Sequence, residues 1–550
     1  MAKPQARTNQ IPIPQLKQEE TQVGGSEDFL AGFINDSDPA QLPPNALVVA
    51  DNVAYIRNML FRRNGLQPYS LTKPNSSKVL NIYAANQVGS GLNIYRFDQS
   101  KIYVARSTGF VEITPNIIAA NSGGLTDYFS FTAGDNRTFF CNGVDPIREI
   151  DPVALQYKQL GNAPVYKYIT MAFNRLIGAN RVDTTNVPYE IGWSGLMNYG
   201  EYDPTVDLSA GLTPLVDSPS DTSDDLTGIS SYGNTLIACR EKSMWLGSFT
   251  RSSTNPFSFY SALPKLGADT PRTIQLTDDF GLVWFNSSKN DVYVWSIPTN
   301  SYQNNAPEAI SATTVRRYLK QQFSTASEVW GAYSQDNKTY SLYFKYSNSS
   351  TVSVATFNFI TKTWNTEEFN NSPSCTTDLD FSASTITIND LQGTINALLG
   401  TINSLGGLVA NSTRFYGFDN GDIDTSPFYS GMASEVGNIS LTDNGTSFTT
   451  EIRSKIFEIP IYDTIINLVR FAYTPYTTGT INLEYSKDDG NTWTTMKTVT
   501  VQSTQLNKAQ LLQIRRARKA RRFQWRITTS NCMFALNGFN IRAVTAGVSK

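Results

Sequence analysis

Residues Phe280 to Pro298 read FGLVWFNSSKNDVYVWSIP, and the reading of this stretch decides the fold. Leu282, Trp284, Val292 and Val294 alternate with Val283, Phe285, Tyr293 and Trp295, and Asn286 to Asn290 between them is rich in turn formers. That pattern predicts two antiparallel strands and a hairpin. Both faces of each strand carry apolar or aromatic side chains, so the hairpin is expected to be covered on two sides, as a middle strand pair in a stack of small sheets.

The same rhythm recurs on either side. It appears at Asn93 to Thr114, Thr138 to Ile150, Arg175 to Ser194 and Thr235 to Ser248, and again at Thr339 to Trp364. The anchors are mostly ~35 to 60 residues apart, against ~40 to 50 per blade in regular propellers, which points to an irregular propeller with insertions. Composition agrees. Aromatic residues make up 12% of the 550-residue chain and charged residues only 17%, a balance that favours strands over helices. Length alone suggests two to four domains, but a propeller can run long as one. After Leu441 the texture changes to strands of ordinary length with a polar side, at Phe448 to Ile461, Leu468 to Tyr473, Ile481 to Tyr485, Met496 to Val501, Phe523 to Thr528 and Ala535 to Ile541. These suggest a separate sandwich, with the boundary between Ser430 and Ser447. The expected fold class is therefore mostly β, an irregular multi-bladed β-propeller followed by a C-terminal β-sandwich. Residues 1–25 read as a disordered or docking arm, 26–430 as the propeller with a repeat-containing insertion at 385–408, and 431–550 as the sandwich with a basic segment at 515–526.

Several function classes lose support from composition. Histidine is absent, which removes the usual general base, the common triad partner and the commonest metal ligand. Cys141, Cys239, Cys375 and Cys532 are scattered without CxxC spacing, so buried free thiols are expected rather than a zinc site or a disulfide framework. The first residues, MAKPQARTNQ, lack an apolar core, and no run approaches the ~20 apolar residues of a membrane span. The chain is expected in a reducing cytoplasm or in a particle assembled there. Net charge near −2 exerts no global pull on nucleic acid.

Charge is nevertheless uneven. No acidic residue follows Asp489, and Arg515, Arg516, Arg518, Lys519, Arg521 and Arg522 fall within eight residues. This cluster is the candidate contact site, for DNA phosphates or for an acidic neighbouring subunit, against the plainer reading of a solvated basic loop. Leu511, Leu512 and Ile514 ahead of it suit the start of an amphipathic helix. Aromatic residues are not interleaved with the cations, so sequence-specific base reading is not expected.

Other motifs are weaker. Ser486 to Trp493, SKDDGNTW, matches the Asp-box S-x-D-x-G-x-T-W, read as a structural hairpin turn rather than a glycosidase signature. Carboxylates such as Glu27, Asp28, Asp224, Asp225, Asp278, Asp279, Glu367 and Glu368 could in principle supply a glycosidase pair, but spacing selects none of them. The stretch SPSDTSDD from Ser218 to Asp225 lacks the glycine and distal glutamate of a calcium loop and reads as solvated. Thr387 to Gly407 holds three tandem seven-residue copies, TINDLQG, TINALLG and TINSLGG. Their apolar residues sit at a and d positions, but Gly393, Gly400 and Gly407 each cost about 1 kcal/mol in a helix, so short apolar turns packed on a sheet are preferred over a coiled coil.

The order of several short words carries a family resemblance. Leu42-Pro43-Pro44, Asp51-Asn52-Val53 and Arg62-Arg63-Asn64-Gly65 come first, then Arg175-Leu176-Ile177 and Gly192-Trp193-Ser194. Glu241 to Ser248, Gly267-Ala268-Asp269-Thr270-Pro271, Ile310-Ser311, Trp330-Gly331-Ala332-Tyr333 and Phe357 to Trp364 follow. Over roughly residues 40 to 430 this resembles the tail nozzle, or head-to-tail connector (DNA-stabilisation), β-propeller proteins of short-tailed bacteriophages. The resemblance implies a non-enzymatic virion protein of the tail, without cofactor or metal, forming a ring of six subunits around the DNA-ejection channel. It implies an adaptor or portal ring above, a tail fibre, spike or needle protein elsewhere, and non-specific contact with viral double-stranded DNA. The alternatives are a propeller glycoside hydrolase of sialidase type, or a carbohydrate-binding receptor protein using surface tryptophans around Trp193 or Trp245.

Overall fold

The structure is a computed structural model, and it describes residues 20–545 apart from short internal segments and the longer stretches 380–412 and 428–438. The repeat at 387–407 lies outside the described residues. The hairpin at 280–298 is the middle of a four-stranded sheet. Gly281–Asn286 pairs with Asp291–Trp295 in the register Leu282 with Trp295 and Trp284 with Tyr293. Gln275–Thr277 and Glu308–Ala309 flank them. Every residue of Gly281–Asn286 is buried, as an apolar run on both faces requires.

Among the described residues, seven such four-stranded blades follow one another, at 81–115, 130–159, 166–214, 226–263, 275–309, 326–369 and 373–427. Their hairpins turn where residues with positive φ allow it. Asp135 and Asn136 have φ of 50° and 58° between Ser130–Gly134 and Arg137–Cys141, the pair of left-handed positions that a type I′ turn needs. Adjacent blades are glued by aromatic and aliphatic clusters. Phe97, Phe129, Phe140 and Tyr157 join blades 1 and 2. Met244, Leu246, Trp284 and Trp295 join blades 4 and 5, while Trp330, Tyr343 and Tyr416 join blades 6 and 7. The ring closes between the last blade and the first through Val79, Ile82, Ile94, Phe415 and Ile423. The fourth strand of blade 7 is Gln67–Pro68, which pairs with Asp424 and Thr425. A piece of chain lying before blade 1 thus completes blade 7.

The sandwich is built from both ends of the chain, which corrects the expected boundaries. Glu20–Ser26 pairs with Phe534–Thr545, Ala46–Asp51 with Thr450–Ser454, and Met59–Arg62 with Ala535 and Leu536. Residues 20–62 therefore belong to the sandwich rather than to an arm or to the propeller, because their strands pair mainly there; residues 1–19 lie outside the described residues. Phe29, Leu47, Val53, Phe471, Trp525 and Phe539 share one core with Val283 and Phe285 of blade 5 and Phe344 and Trp364 of blade 6. A further link is the single parallel bridge from Asp51 to Thr366, which makes blade 6 and one sandwich sheet continuous.

Candidate functional site: a basic sheet face and a buried arginine joint

The basic cluster is not a helix and not a loop. Gln510–Lys519 is a strand at the edge of the outer sandwich sheet. Leu512 and Ile514 point into the core, while Leu511, Gln513 and Arg515 are exposed. That period-2 alternation overrides the helical reading of Leu511 to Ile514. The side chains of 516–519 lie outside the described residues. Register adds cations that the sequence cluster did not contain. Leu468 on the next strand stands between Arg515 and Arg542, and Arg470 between Gln513 and Asn540. Arg470, Arg515 and Arg542 therefore share one outer face across three strands, with Gln22 opposite Arg542.

On this face a cleft of about 690 Å³ is walled by Gln22, Glu27, Arg470, Leu511, Asn537 and Asn540. Its floor is low because Ala472 and Gly538 lie opposite each other there. Gly538 cannot be larger: a Cβ on it would come within 2.7 Å of the Ser26 carbonyl oxygen. Arg515 has no ion pair among the described residues, whereas Arg522 is bound to Asp489 at 2.6 Å and Arg526 to Glu484 at 2.6 Å. Arg522 thus belongs to a local pair more than to the open face. The face fits anionic or acidic partners, because the exposed guanidinium of Arg515 keeps its donors available for bidentate contacts.

Two other arginines, Arg62 and Arg63 of the family-like word at 62–65, do structural work. Arg63 Nη1 and Nη2 donate to the Asp443 carboxylate at 2.8 and 2.6 Å, Nε to Asn52 Oδ1 at 2.8 Å and Nη2 to the Glu368 carbonyl at 3.0 Å. Its guanidinium carbon lies 3.7 Å from the Phe448 ring centroid and 4.3 Å from that of Phe369. Arg62 donates to the carbonyls of Leu441, Phe448 and Ser530 at 3.0 to 3.1 Å. Gly65 has no space for a side chain, since a Cβ would sit 2.1 Å from the Thr442 carbonyl oxygen. The word Arg62-Arg63-Asn64-Gly65 is thus a clasp that ties the entry segment to residues 440–450, with blade 6 beneath.

Next to the clasp is a cavity of about 90 Å³ between blades 6 and 7, lined by Tyr55, Ile56 and Phe369 and reached by the polar side chains of Glu367, Arg63 and Arg414. Burial pushes the Glu367 carboxyl up, with Arg63 and Arg414 opposing it. Arg414 is itself held by Asp378 at 2.7 and 2.9 Å. Of the other carboxylates in the sequence list, Asp28 receives the Leu30 amide and the Asn45 amide group. Asp279 pairs with Lys338, and Asp278 accepts from Gln335. Asp224 is not a solvated loop residue: it is buried, accepts from the Lys242 amide and the Ser243 hydroxyl, and braces Arg240. The rest of the 218–223 stretch lies outside the described residues.

The Asp-box is a turn, as read. Asp488 accepts from the Ser486 hydroxyl at 2.6 Å, the Thr492 amide at 2.9 Å and the Thr492 hydroxyl at 2.5 Å. Those bonds hold its carboxyl down at about 2. Trp493 stacks with Arg526 at 4.4 Å and Arg453 at 5.0 Å. Trp193 and Trp245 are 3% and 7% exposed, so the tryptophans named for a glycan-binding surface are core residues of blades 3 and 4. All four cysteines are free and buried. Among the described residues there is no cluster of three or more metal-ligating side chains, and no helix long and apolar enough to cross a membrane.

No family model matches the chain, and no curated protein does either. Among solved structures, one of YCF48 bound to a D1 peptide is similar at a TM-score of 0.37 and 8% identity, over 67% of this chain and 97% of that one. So remote a likeness carries no functional argument. The class defined by fold and site is a seven-bladed propeller clasped to a sandwich that bears a basic outer face.

Proposed function

We propose that the chain is a structural subunit of a short-tailed phage tail, a nozzle ring component that forms part of the DNA-ejection channel and helps retain the packaged genome. The observation that carries this reading is where the family-like words fall. Asp51-Asn52-Val53 and Arg62-Arg63-Asn64-Gly65 form the clasp, the Gly267 carbonyl in the connection from blade 4 to blade 5 accepts from the Trp284 indole at 3.0 Å, and Trp330 and Ala332 pack between blades 6 and 7. These words serve rigidity, and a rigid joint is what a ring under mechanical load needs. The work is steric: interfaces between copies hold the ring, and contacts with DNA are weak and sequence-independent so that it can pass. Neighbours in this reading are an adaptor or portal-side ring, a fibre, spike or needle protein, and further copies in a hexamer; the site is the virion tail, assembled in the host cytoplasm.

The test is negative-stain imaging and native mass of the purified chain, with assays on surface glycans run beside them. Rings with a central opening and no glycan cleavage are expected. A monomer that cleaves glycans, and loses the activity in Glu367→Gln, would sink the reading in favour of a propeller glycoside hydrolase.

A further inference from the structure

Blade 3 carries an unusual surface. Of its four strands the last two, Val187–Trp193 and Gly211–Pro214, are joined by residues 194–210, which lie along the rim between blades 2 and 3. Tyr199 and Tyr202 turn inward and pack with Phe139 and Tyr166. Leu196, Met197, Val206 and Leu208 turn outward at 53, 60, 68 and 73% exposure. Such clustering of large apolar side chains on a surface marks an interaction site.

The loop is also fixed. Asp203 accepts from the Thr205 amide, Asp207 from the Ser209 amide and hydroxyl, and the Met197 amide donates to the Asn174 carbonyl. Gly195 lets the Asp207 carboxylate lie close over the backbone, where a Cβ would push it aside. Met197 itself is held at φ 56°, a left-handed conformation that a residue of its type rarely takes without surrounding support. The loop thus presents its apolar residues in a set shape, which lowers the ordering cost of binding. Its acids, Glu201, Asp203 and Asp207, make no ion pair among the described residues.

A surface of opposite character lies on the same chain. The sandwich face has Arg470, Arg515 and Arg542, the exposed apolar Leu511, and a cleft of about 690 Å³ floored by small residues. The two surfaces complement each other in charge and in apolar content, but one copy cannot bring them together: the sandwich core is continuous with blades 5 and 6, and blade 4 separates these from blade 3.

We infer that the rim loop 194–210 of one copy docks on the basic sandwich face of a second copy, head to tail, with Val206 and Leu208 entering the cleft beside Leu511 and the loop acids facing Arg470 and Arg515. Such a heterologous contact closes into a ring if its rotation closes and otherwise propagates as a filament. The inference rests on the ring reading and names its interface. It also chooses between the two partners open for the basic face: the exposed Leu511 and a cleft of mixed lining, in which Glu27, Asn537 and Asn540 stand beside Arg470, favour a protein neighbour over DNA, which would call for a face of cations alone.

The test is sedimentation velocity of the full chain over a range of concentration and salt, with binding of a double-stranded DNA fragment measured in parallel. Leu208→Asp and Arg515→Glu should each weaken self-association at least tenfold while leaving the melting curve unchanged. Asp203→Lys and Arg515→Glu chains, each defective alone, should associate when mixed, because the mixture restores one good contact. Rings that persist unchanged in Leu208→Asp and Arg515→Glu would overturn this interface and leave the nozzle reading standing. A chain that stays monomeric at every concentration, or an Arg515→Glu variant that loses DNA binding while its self-association is intact, would overturn the inference as well.

Discussion

Arg63 and Arg515 carry the same charge and the same donors, yet the fold uses them in opposite ways. Arg63 is 3% exposed, saturated by Asp443, Asn52 and a carbonyl, and stacked between two phenylalanine rings. Arg515 stands on the open face of an edge strand. What separates them is the set of groups within reach rather than residue type or local density. A buried guanidinium without its carboxylate leaves an uncompensated charge, so Arg63 is tied to stability; an exposed one contributes little to stability and keeps its donors for a partner.

The strongest way to break this comparison is to remove the buried partner. Arg63→Ala should lower unfolding stability by about 3 to 5 kcal/mol, the range for breaking a buried pair from one side. Asp443 is fully buried and would be left without its counter-charge. Arg63→Ala combined with Asp443→Ala should cost less than the sum of the two single changes, read from urea midpoints of the purified chain. An additive result would show that the clasp is held by packing on Phe448 and Phe369 rather than by the ion pair.

A second effect of burial concerns pH. Asp424 in blade 7 is 1% exposed, neither carboxylate oxygen has a hydrogen-bond partner among the described residues, and burial, with Asp422 and Asp443 nearby, pushes its carboxyl up to about 7. The folded state therefore holds a proton that the unfolded state has released between about pH 4 and pH 7, and stability falls as pH rises through that window. Asp424→Asn should flatten that fall and raise the melting temperature at pH 8, with little change near pH 4. An equal gain at both pH values would mean that titration of Asp424 is not the cause.

The exposed Asp488 works with the opposite sign. Its hydroxyl and amide donors hold the carboxyl at about 2, so its contribution is present above about pH 4 and is lost as pH falls from there towards 2. Asp488→Ala should reduce the acid sensitivity of the sandwich, followed by tryptophan fluorescence, and leave any glycan assay unchanged. A loss of glycan cleavage would reopen the Asp-box as part of an active site.

Much of the propeller was legible because its signal is local. Period-2 alternation, turn residues between strands and apolar residues on both faces are all present within Phe280 to Pro298, and pairing follows that pattern residue by residue. The sandwich was half legible. Its C-terminal strands show the same alternation, but the pairing of Glu20–Ser26 with Phe534–Thr545 joins opposite ends of the chain and leaves no local trace. Ring closure by Gln67–Pro68 rests on a two-residue strand, too short for any periodic signal. The run of arginines hid the alternation of Leu512 and Ile514, and Trp193 and Trp245 could not be placed inside or outside before their blades were packed. The rim loop did leave a sign, four large aliphatic residues and two tyrosines among Gly, Asn, Asp, Glu, Pro, Ser and Thr without strand periodicity, but what the aliphatic residues face depends on how Tyr199 and Tyr202 turn.

The smallest effect on stability sharpens the comparison most. Arg515→Ala removes a side chain that makes no ion pair among the described residues, and exposed substitutions of this kind shift stability by no more than about 0.5 kcal/mol. Its urea midpoint should match the parent chain, where Arg63→Ala moves it far. Self-association should respond in the reverse order when the two are compared below the midpoint: Arg515→Ala weakens it and makes it less salt-dependent, because one charge-assisted contact is gone. Folded Arg63→Ala retains it, because the basic face is intact. If Arg515→Ala unfolds the sandwich instead, the edge strand is held by its charges and the division into a joint and a docking face fails.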